Sequence, residues 1–383
     1  MGHMLNGMKT RAAVLHSMEH AMPYRDSLPL KIETLELEAP DAGEVLVKVA
    51  AASLCHSDLS VINGSRPRVM PMVMGHEASG VVQEVGANVK GFAPGDHVVF
   101  SYFPACGCCA HCGSGRAVLC EDGAAANGAG TLLNGARKFT NGDGERLNHH
   151  LGVSGFSEYT VAVPESLVKI DPELPLEIAA MFGCAVLTGV GAVVNTAKAE
   201  PGKSVAVFGL GGVGLSAVMG ARAVGAYPIV AVDPLDAKLE LARQAGATHV
   251  VNALADNAIE AVREITKGGA AVALEAVGSV KVLENAYAAT ARGGKTVSIG
   301  LPHPSQQLSI SALSLVAEER ILMGSYMGSA VPKRDVPRFI AMYQNGILPV
   351  NQLQSKRIRL DDINAAFDDL HHGKEVRQVI VFE

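Results

Sequence analysis

Four cysteines fall within fifteen residues, at Cys106, Cys109, Cys112 and Cys120. Thiolates at such short gaps can converge on one tetrahedral ion without help from the rest of the chain. Soft sulfur in a tetrahedron selects zinc or iron. Four sulfurs fill the coordination shell, so the expected role is structural. Unrelated core thiols would not bunch in this way. A zinc ribbon on nucleic acid would carry basic flanks, whereas here His111 and Arg116 are followed by Glu121 and Asp122. Cys108 is left over, a bystander. A second signature is Gly209-Leu-Gly211-Gly212-Val-Gly214, after the apolar run 204–208 (SVAVF). A strand, a glycine turn and a helix start together suit a dinucleotide pyrophosphate, held by free N–H groups at the helix N-terminus. Asp233 follows Gly214 by 19 residues. A carboxylate there hydrogen-bonds the adenosine ribose and repels a 2′-phosphate, which favours NAD over NADP. The competing reading is a glycine-rich turn in some other α/β sheet.

These groups need elements to hold them. Short alternating strands are expected at 44–51 (EVLVKVAA), 80–85 and 97–100, and a long loop over the Gly-, Ala- and Asn-rich 122–144. Beyond residue 184 strands and helices alternate. Strands are expected at 204–208, 228–232, 249–251, 271–275 and 295–299, and helices up to 224 and over 237–245 and 255–266. That rhythm implies a doubly wound parallel sheet. The uncharged runs 178–197 and 204–221 are broken by glycine. They are expected as a buried helix and a strand–turn–helix, not as membrane spans. The chain has 383 residues, which favours two domains. A net charge of -6 argues against a nucleic-acid face. Seven cysteines, five of them bunched, suit a reducing compartment rather than a disulfide scaffold. Residues before Met8 look like a loose start, and nothing there resembles a signal peptide. A cytoplasmic location is expected.

Cys55 (in LCHSD), His76 (in MGHEASGVVQEVG) and Cys184 (in GCAVLTG) lie too far apart for spacing to join them. With the four-Cys loop, FGLGGVG and VRQVIVF, these blocks resemble the zinc-dependent medium-chain alcohol dehydrogenases from Met8 to Glu383. The long loop is similar to the branch near the glutathione-dependent formaldehyde dehydrogenases. The resemblance implies a β-rich GroES-like catalytic domain (8–184), a Rossmann domain (185–325) and a return to the first (326–383). It implies a catalytic zinc on Cys55, His76 and Cys184, with an open fourth position and Glu77 close by. With the structural zinc this makes two per chain. Asp58 would fix the tautomer of His76, and Ser57 would take the substrate proton. Where some relatives place a histidine that carries this proton onward, the chain has Ser60, so an outer base is missing or is replaced by water or His56.

The resemblance further assigns Lys238 to the ribose, His56 and Arg377 to the pyrophosphate, and Thr188 and Val213 to the nicotinamide. Tyr102, Leu301 and Tyr326 are implied as pocket walls, and a homodimer is expected. Substrate anchors depart from the formaldehyde dehydrogenase pattern: Arg66 and Arg68 stand where an acidic pair is usual, and Glu121 follows the last loop cysteine. A free primary alcohol or aldehyde, aliphatic or aryl, is therefore the first expectation, with glutathione-dependent formaldehyde oxidation as the alternative.

Overall fold

The computed structural model describes residues 7–255 and 257–383. The loose start expected before Met8 lies, but for Gly7, outside them. The chain is α/β and splits into two compact units. The first comprises Met1–Cys184, Val331–Pro337 and Gln354–Glu383; the second comprises Ala185–Ala330 and Arg338–Leu353. The chain after residue 330 is thus divided between the units, not returned whole to the first.

The first unit is built on a mixed sheet in the order Leu167–Lys169, His97–Phe100, Ala78–Val85, Val45–Ser53, Arg377–Val381, Gln354–Ile358. Its central strand Val45–Ser53 is apolar at nearly every position and is covered on both faces. Beside it a small closed barrel joins Met8–Leu15, Leu30–Leu37, Phe139–Thr140, Arg146–His149 and Met72–Val73. The segment 122–144 is not all loop. Glu121–Ala129 is a helix, capped at its start by Cys120 Sγ, which accepts from Gly123 N at 3.4 Å, and ended by Gly130 at φ 67°. Alanine's helix propensity outweighs the glycine and asparagine that suggest a loop.

The second unit holds six parallel strands in the order His249–Asn252, Ile229–Asp233, Val205–Phe208, Ala270–Glu275, Thr290–Ser298, Ile321–Gly324. In sequence order this is 3-2-1-4-5-6, the dinucleotide-binding arrangement. The helix expected over 255–266 is Ala258–Ile265. The edge strand Ile321–Gly324 has no counterpart among the expected elements.

The buried run 178–197 is not one helix. Leu176–Ala180 and Ala185–Gly191 are separate helices, interrupted at Cys184 by φ -138° and ψ -74°. Gly183 sits against the carbonyl of Phe100 so tightly that a Cβ would lie 2.3 Å from it. No single helix among the described residues is long and apolar enough to cross a membrane.

Candidate metal and dinucleotide sites

The strand Val45–Ser53 delivers Cys55 to the start of the helix His56–Ile62. Asp58, one turn on, reaches back and accepts from Cys55 N at 3.1 Å. His76 arrives beside it because Gly75 takes φ 93°, which a side chain resists, and because Ser53 N donates to the Glu77 carbonyl at 2.8 Å. With Cys184 from the helix break, the thiols and the imidazole bring their ligand atoms within 4.8 Å of one another, and all three residues are buried.

His76 is held by its far nitrogen. Nδ1 lies 2.8 Å from Asp58 Oδ1. Its Nε2 is buried and meets no hydrogen-bond partner, a costly state for a ring nitrogen unless an ion takes it. Two sulfurs and one imidazole suit zinc, and three protein ligands leave a fourth position open. The residues present therefore fit a catalytic zinc. Arg377 is also buried here. Nη1 donates to the Leu54 carbonyl at 2.7 Å and lies 3.4 Å from Glu77 Oε2. The structure places this guanidinium beside Glu77. Ser57 Oγ is 3.7 Å from Cys55 Sγ. The Tyr102 ring stands edge-on to His76, with centroids 5.1 Å apart.

The electrostatics follow from burial and pairing. Sharing a hydrogen bond with Cys184 pulls the Cys55 thiol well down against its burial, helped by Arg377 and His76. The same contact, with burial, pushes Cys184 up. Burial alone would lower His76, yet Asp58 holds it well above its usual value. Burial works to raise Asp58, but His76 and His150 outweigh it and hold the carboxyl low. Arg377 is raised despite burial because Glu77, Cys55 and Cys184 face it.

His150 was not among the expected site residues. It is buried, with Nδ1 3.3 Å from Asp58 Oδ1 and its ring edge-on to His76 at 5.4 Å. Its only sequence signal is the pair His149-His150 in a buried stretch.

Cys106, Cys109, Cys112 and Cys120 bring their sulfurs equally close. Backbone N–H groups aim at them: Cys106 N at Cys120 Sγ, Cys109 N at Cys106 Sγ and Cys112 N at Cys109 Sγ, at 3.3, 3.4 and 3.5 Å. The donation from Cys112 N leads the effects that draw the Cys109 thiol down to about 6. At Cys106 the N–H groups of Cys108 and Cys109 are outweighed by Asp122, burial and Cys120, which raise it, and burial raises Cys112. It is the convergence of four sulfurs, with N–H groups aimed at them, that suits a metal ion. Cys108 is exposed, with its sulfur 3.6 Å from Cys106 Sγ, a neighbour of the cluster.

In the second unit, Gly211 caps the helix Gly212–Ala223. A Cβ on Gly214 would lie 1.8 Å from the Gly209 carbonyl, while one on Gly211 would meet nothing within 4 Å. The first glycine is needed for packing and the second leaves open room for a ligand. Asp233 is buried at the end of its strand and accepts from Leu210 N at 2.8 Å and Leu235 N at 3.0 Å. It thus fixes the turn itself. Lys238 is half-buried in the first turn of the helix Asp236–Ala245. Thr188 Oγ1 is buried without a hydrogen-bond partner. Leu301 and Tyr326 belong to this unit and Tyr102 to the other.

Residues 41–172 match the alcohol dehydrogenase GroES-like domain, and residues 212–345 match the zinc-binding dehydrogenase family. The chain is 38% identical to an alcohol dehydrogenase class-3 of Caenorhabditis elegans, over 98% of this chain and 100% of that protein. It is 40% identical to an S-(hydroxymethyl)glutathione dehydrogenase of Synechocystis sp., over 97% and 100%. Among solved structures, benzyl alcohol dehydrogenase from Acinetobacter calcoaceticus aligns with a TM-score of 0.91 at 33% identity, over 98% and 100%. An alcohol dehydrogenase zinc-binding domain protein from Burkholderia ambifaria aligns at 0.93 and 35%, over 99% and 100%.

Proposed function

Because this chain belongs to the zinc-dependent medium-chain alcohol dehydrogenase family, near its glutathione-dependent formaldehyde dehydrogenases, we propose that it exchanges a hydride between a primary carbinol and NAD. The observation that carries this reading is the meeting of Cys55, His76 and Cys184 around an unpartnered His76 Nε2. A zinc ion held there supplies Lewis acidity at the substrate oxygen. Ser57 accepts the hydroxyl proton. Ser60 donates its own hydroxyl to the His56 carbonyl at 2.9 Å, so the proton leaves Ser57 through solvent or the exposed His56. The carbinol loses a hydride to NAD and a proton to Ser57, and an aldehyde remains. Asp233 favours NAD over NADP by repelling a 2′-phosphate. Cys55→Ala is expected to lower the zinc content by one ion per chain and to remove turnover, while NAD binding persists. Metal analysis, NADH absorbance and a dinucleotide titration check this; retained turnover would overturn the assignment.

For the substrate, the full-length relatives favour S-(hydroxymethyl)glutathione over the free alcohol that the departures in the sequence suggest. A second reading, a free aryl or aliphatic alcohol, is supported by Arg66 and Arg68 and by the likeness to a benzyl alcohol dehydrogenase. Arg68 Nε is buried without a hydrogen-bond partner, which would suit an anionic group such as a glutathione carboxylate. Initial rates on formaldehyde with and without glutathione, set against benzyl and straight-chain alcohols, separate the two. A strong glutathione requirement selects the first.

A homodimer in the cytoplasm completes the reading. The exposed Ile321 of the edge strand, with the exposed Leu313 and Val316 nearby in sequence, supports self-association. Free thiols support a reducing compartment. Sedimentation of the holoprotein tests the assembly.

A further inference from the structure

We propose that His150 is a positioning residue for the zinc ligand His76, acting through the carboxylate of Asp58. Asp58 is tied from three sides. Its Oδ2 accepts from Cys55 N at 3.1 Å, its Oδ1 faces His76 Nδ1 at 2.8 Å, and His150 Nδ1 lies 3.3 Å from that same Oδ1. All of these side chains are buried.

A carboxylate only accepts. At 3.3 Å it attracts an imidazole N–H and repels a lone pair, so His150 carries its proton on Nδ1. The ring N–H is not aimed in line, and the buried Nδ1 meets no hydrogen-bond partner. Its pull on Asp58 is therefore chiefly electrostatic. The charged and titratable groups facing His150 are Asp58, His76 and Arg68. The same ring also stands edge-on to His76, as does the Tyr102 ring. His150 thus acts as an electrostatic partner and as a wall, and holds both Asp58 and the ring that Asp58 orients.

The inference rests on His76 being a zinc ligand. Its test reads metal retention without substrate. Zinc release from the holoprotein to a chelator is followed, with Cys55→Ala giving the rate of the four-cysteine cluster alone. His150→Phe keeps a ring and loses the polar N–H that faces Asp58. It is expected to speed release from the catalytic cluster about ten-fold, the lower end of what outer partners of metal ligands contribute. It should also shift the visible absorption of the cobalt-substituted protein. His150→Asn keeps an N–H near the position of Nδ1 and is expected to stay within about two-fold of the parent. In an Asp58→Asn background, His150→Phe should add nothing. If the phenylalanine variant folds poorly, His150→Leu carries the same expectation.

Release within two-fold of the parent for the donor-less variants, with an unchanged cobalt spectrum, overturns the proposal. So do effects of Asp58 and His150 that simply add. Failure of the zinc reading looks different: Cys55→Ala would then release metal at the parent's rate and in the parent's amount.

Discussion

On the proposed reading Asp233 would have two duties at one carboxylate, and they pull a substitution in different directions. It accepts from Leu210 N and Leu235 N, which fixes the glycine turn, and it stands where an adenosine ribose would lie. Asp233→Ser removes the repulsion toward a 2′-phosphate and part of the support for the turn. A hydrogen bond to a charged group contributes about 1.5–3 kcal/mol, or roughly ten- to a hundred-fold in affinity. The KM for NAD is expected to rise about ten-fold, while NADP turnover appears. Steady-state kinetics with both dinucleotides checks this; unchanged discrimination would remove Asp233 from the specificity role. The place of Asp233 at the end of its strand was legible in the sequence because strand, turn and acid stand at a fixed pitch. The four-cysteine loop was legible because its ligands are local. Cys55, His76 and Cys184 were legible only through the resemblance, since residues far apart in sequence leave no spacing to read. His150 was legible by neither route. Its role depends on a contact with Asp58 across 92 residues, and a histidine pair in an apolar stretch is more often core.

At the scale of elements, the long segment after the four-cysteine loop is pinned by a buried lysine. Lys138 Nζ lies 2.9 Å from Asp41 Oδ2 and 2.9 Å from Glu44 Oε2, and its own N–H donates to His149 Nε2 at 3.2 Å. Glu44 is buried as well, so the pair is enclosed on one side while Asp41 stays exposed. Lys138→Met leaves the Glu44 carboxylate buried without its cation. The expected loss is about 3 kcal/mol, the low end for a broken buried pair, because Glu44 keeps its hydrogen bonds from Asp41 N and Asn134 Nδ2. Adding Glu44→Gln should restore part of the stability. Burial lowers the Lys138 ammonium's pKa, but Asp41 and Glu44 outweigh it and raise the net value. A raised lysine stabilises below its unfolded value of about 10.4, and the contribution fades as pH climbs through the folded value. Denaturant melts should therefore show a gap between parent and variant that is flat from neutral pH to about pH 10 and closes above it. The same segment shows where composition misleads. Gly and Asn at 122–144 pointed to a loop, yet an alanine-rich helix forms because Cys120 caps it and Gly130 ends it.

At the scale of the whole molecule, the two units differ in how the chain supplies their sheets. The parallel sheet takes all its strands from one continuous stretch, His249–Asn252 and its neighbours lying between Val205 and Gly324. The zinc-bearing unit instead needs the strand Arg377–Val381 at an interior position, between Val45–Ser53 and Gln354–Ile358. That strand is buried at nearly every position, and Arg377 within it anchors Leu54, the residue before the first zinc ligand, and Glu77. The rhythm of alternating strands and helices made the first pattern readable, whereas pairing of residues 53 and 379 is a long-range fact that periodicity does not encode. Deleting residues 376–383 removes an interior strand and exposes two unpaired edges. The expected result is a protein that loses zinc from the Cys55–His76–Cys184 cluster and is cut by protease within 8–184, while a fragment spanning 205–324 resists longer. Gln378→Ala is the milder version, since Gln378 is buried and donates to the Ala366 carbonyl at 2.7 Å. It should cost about 1–3 kcal/mol and leave the metal in place. Zinc analysis and limited proteolysis of the truncated chain decide the point. Full zinc content after the deletion would mean that the cluster is held by Val45–Ser53 and Ala78–Val85 alone.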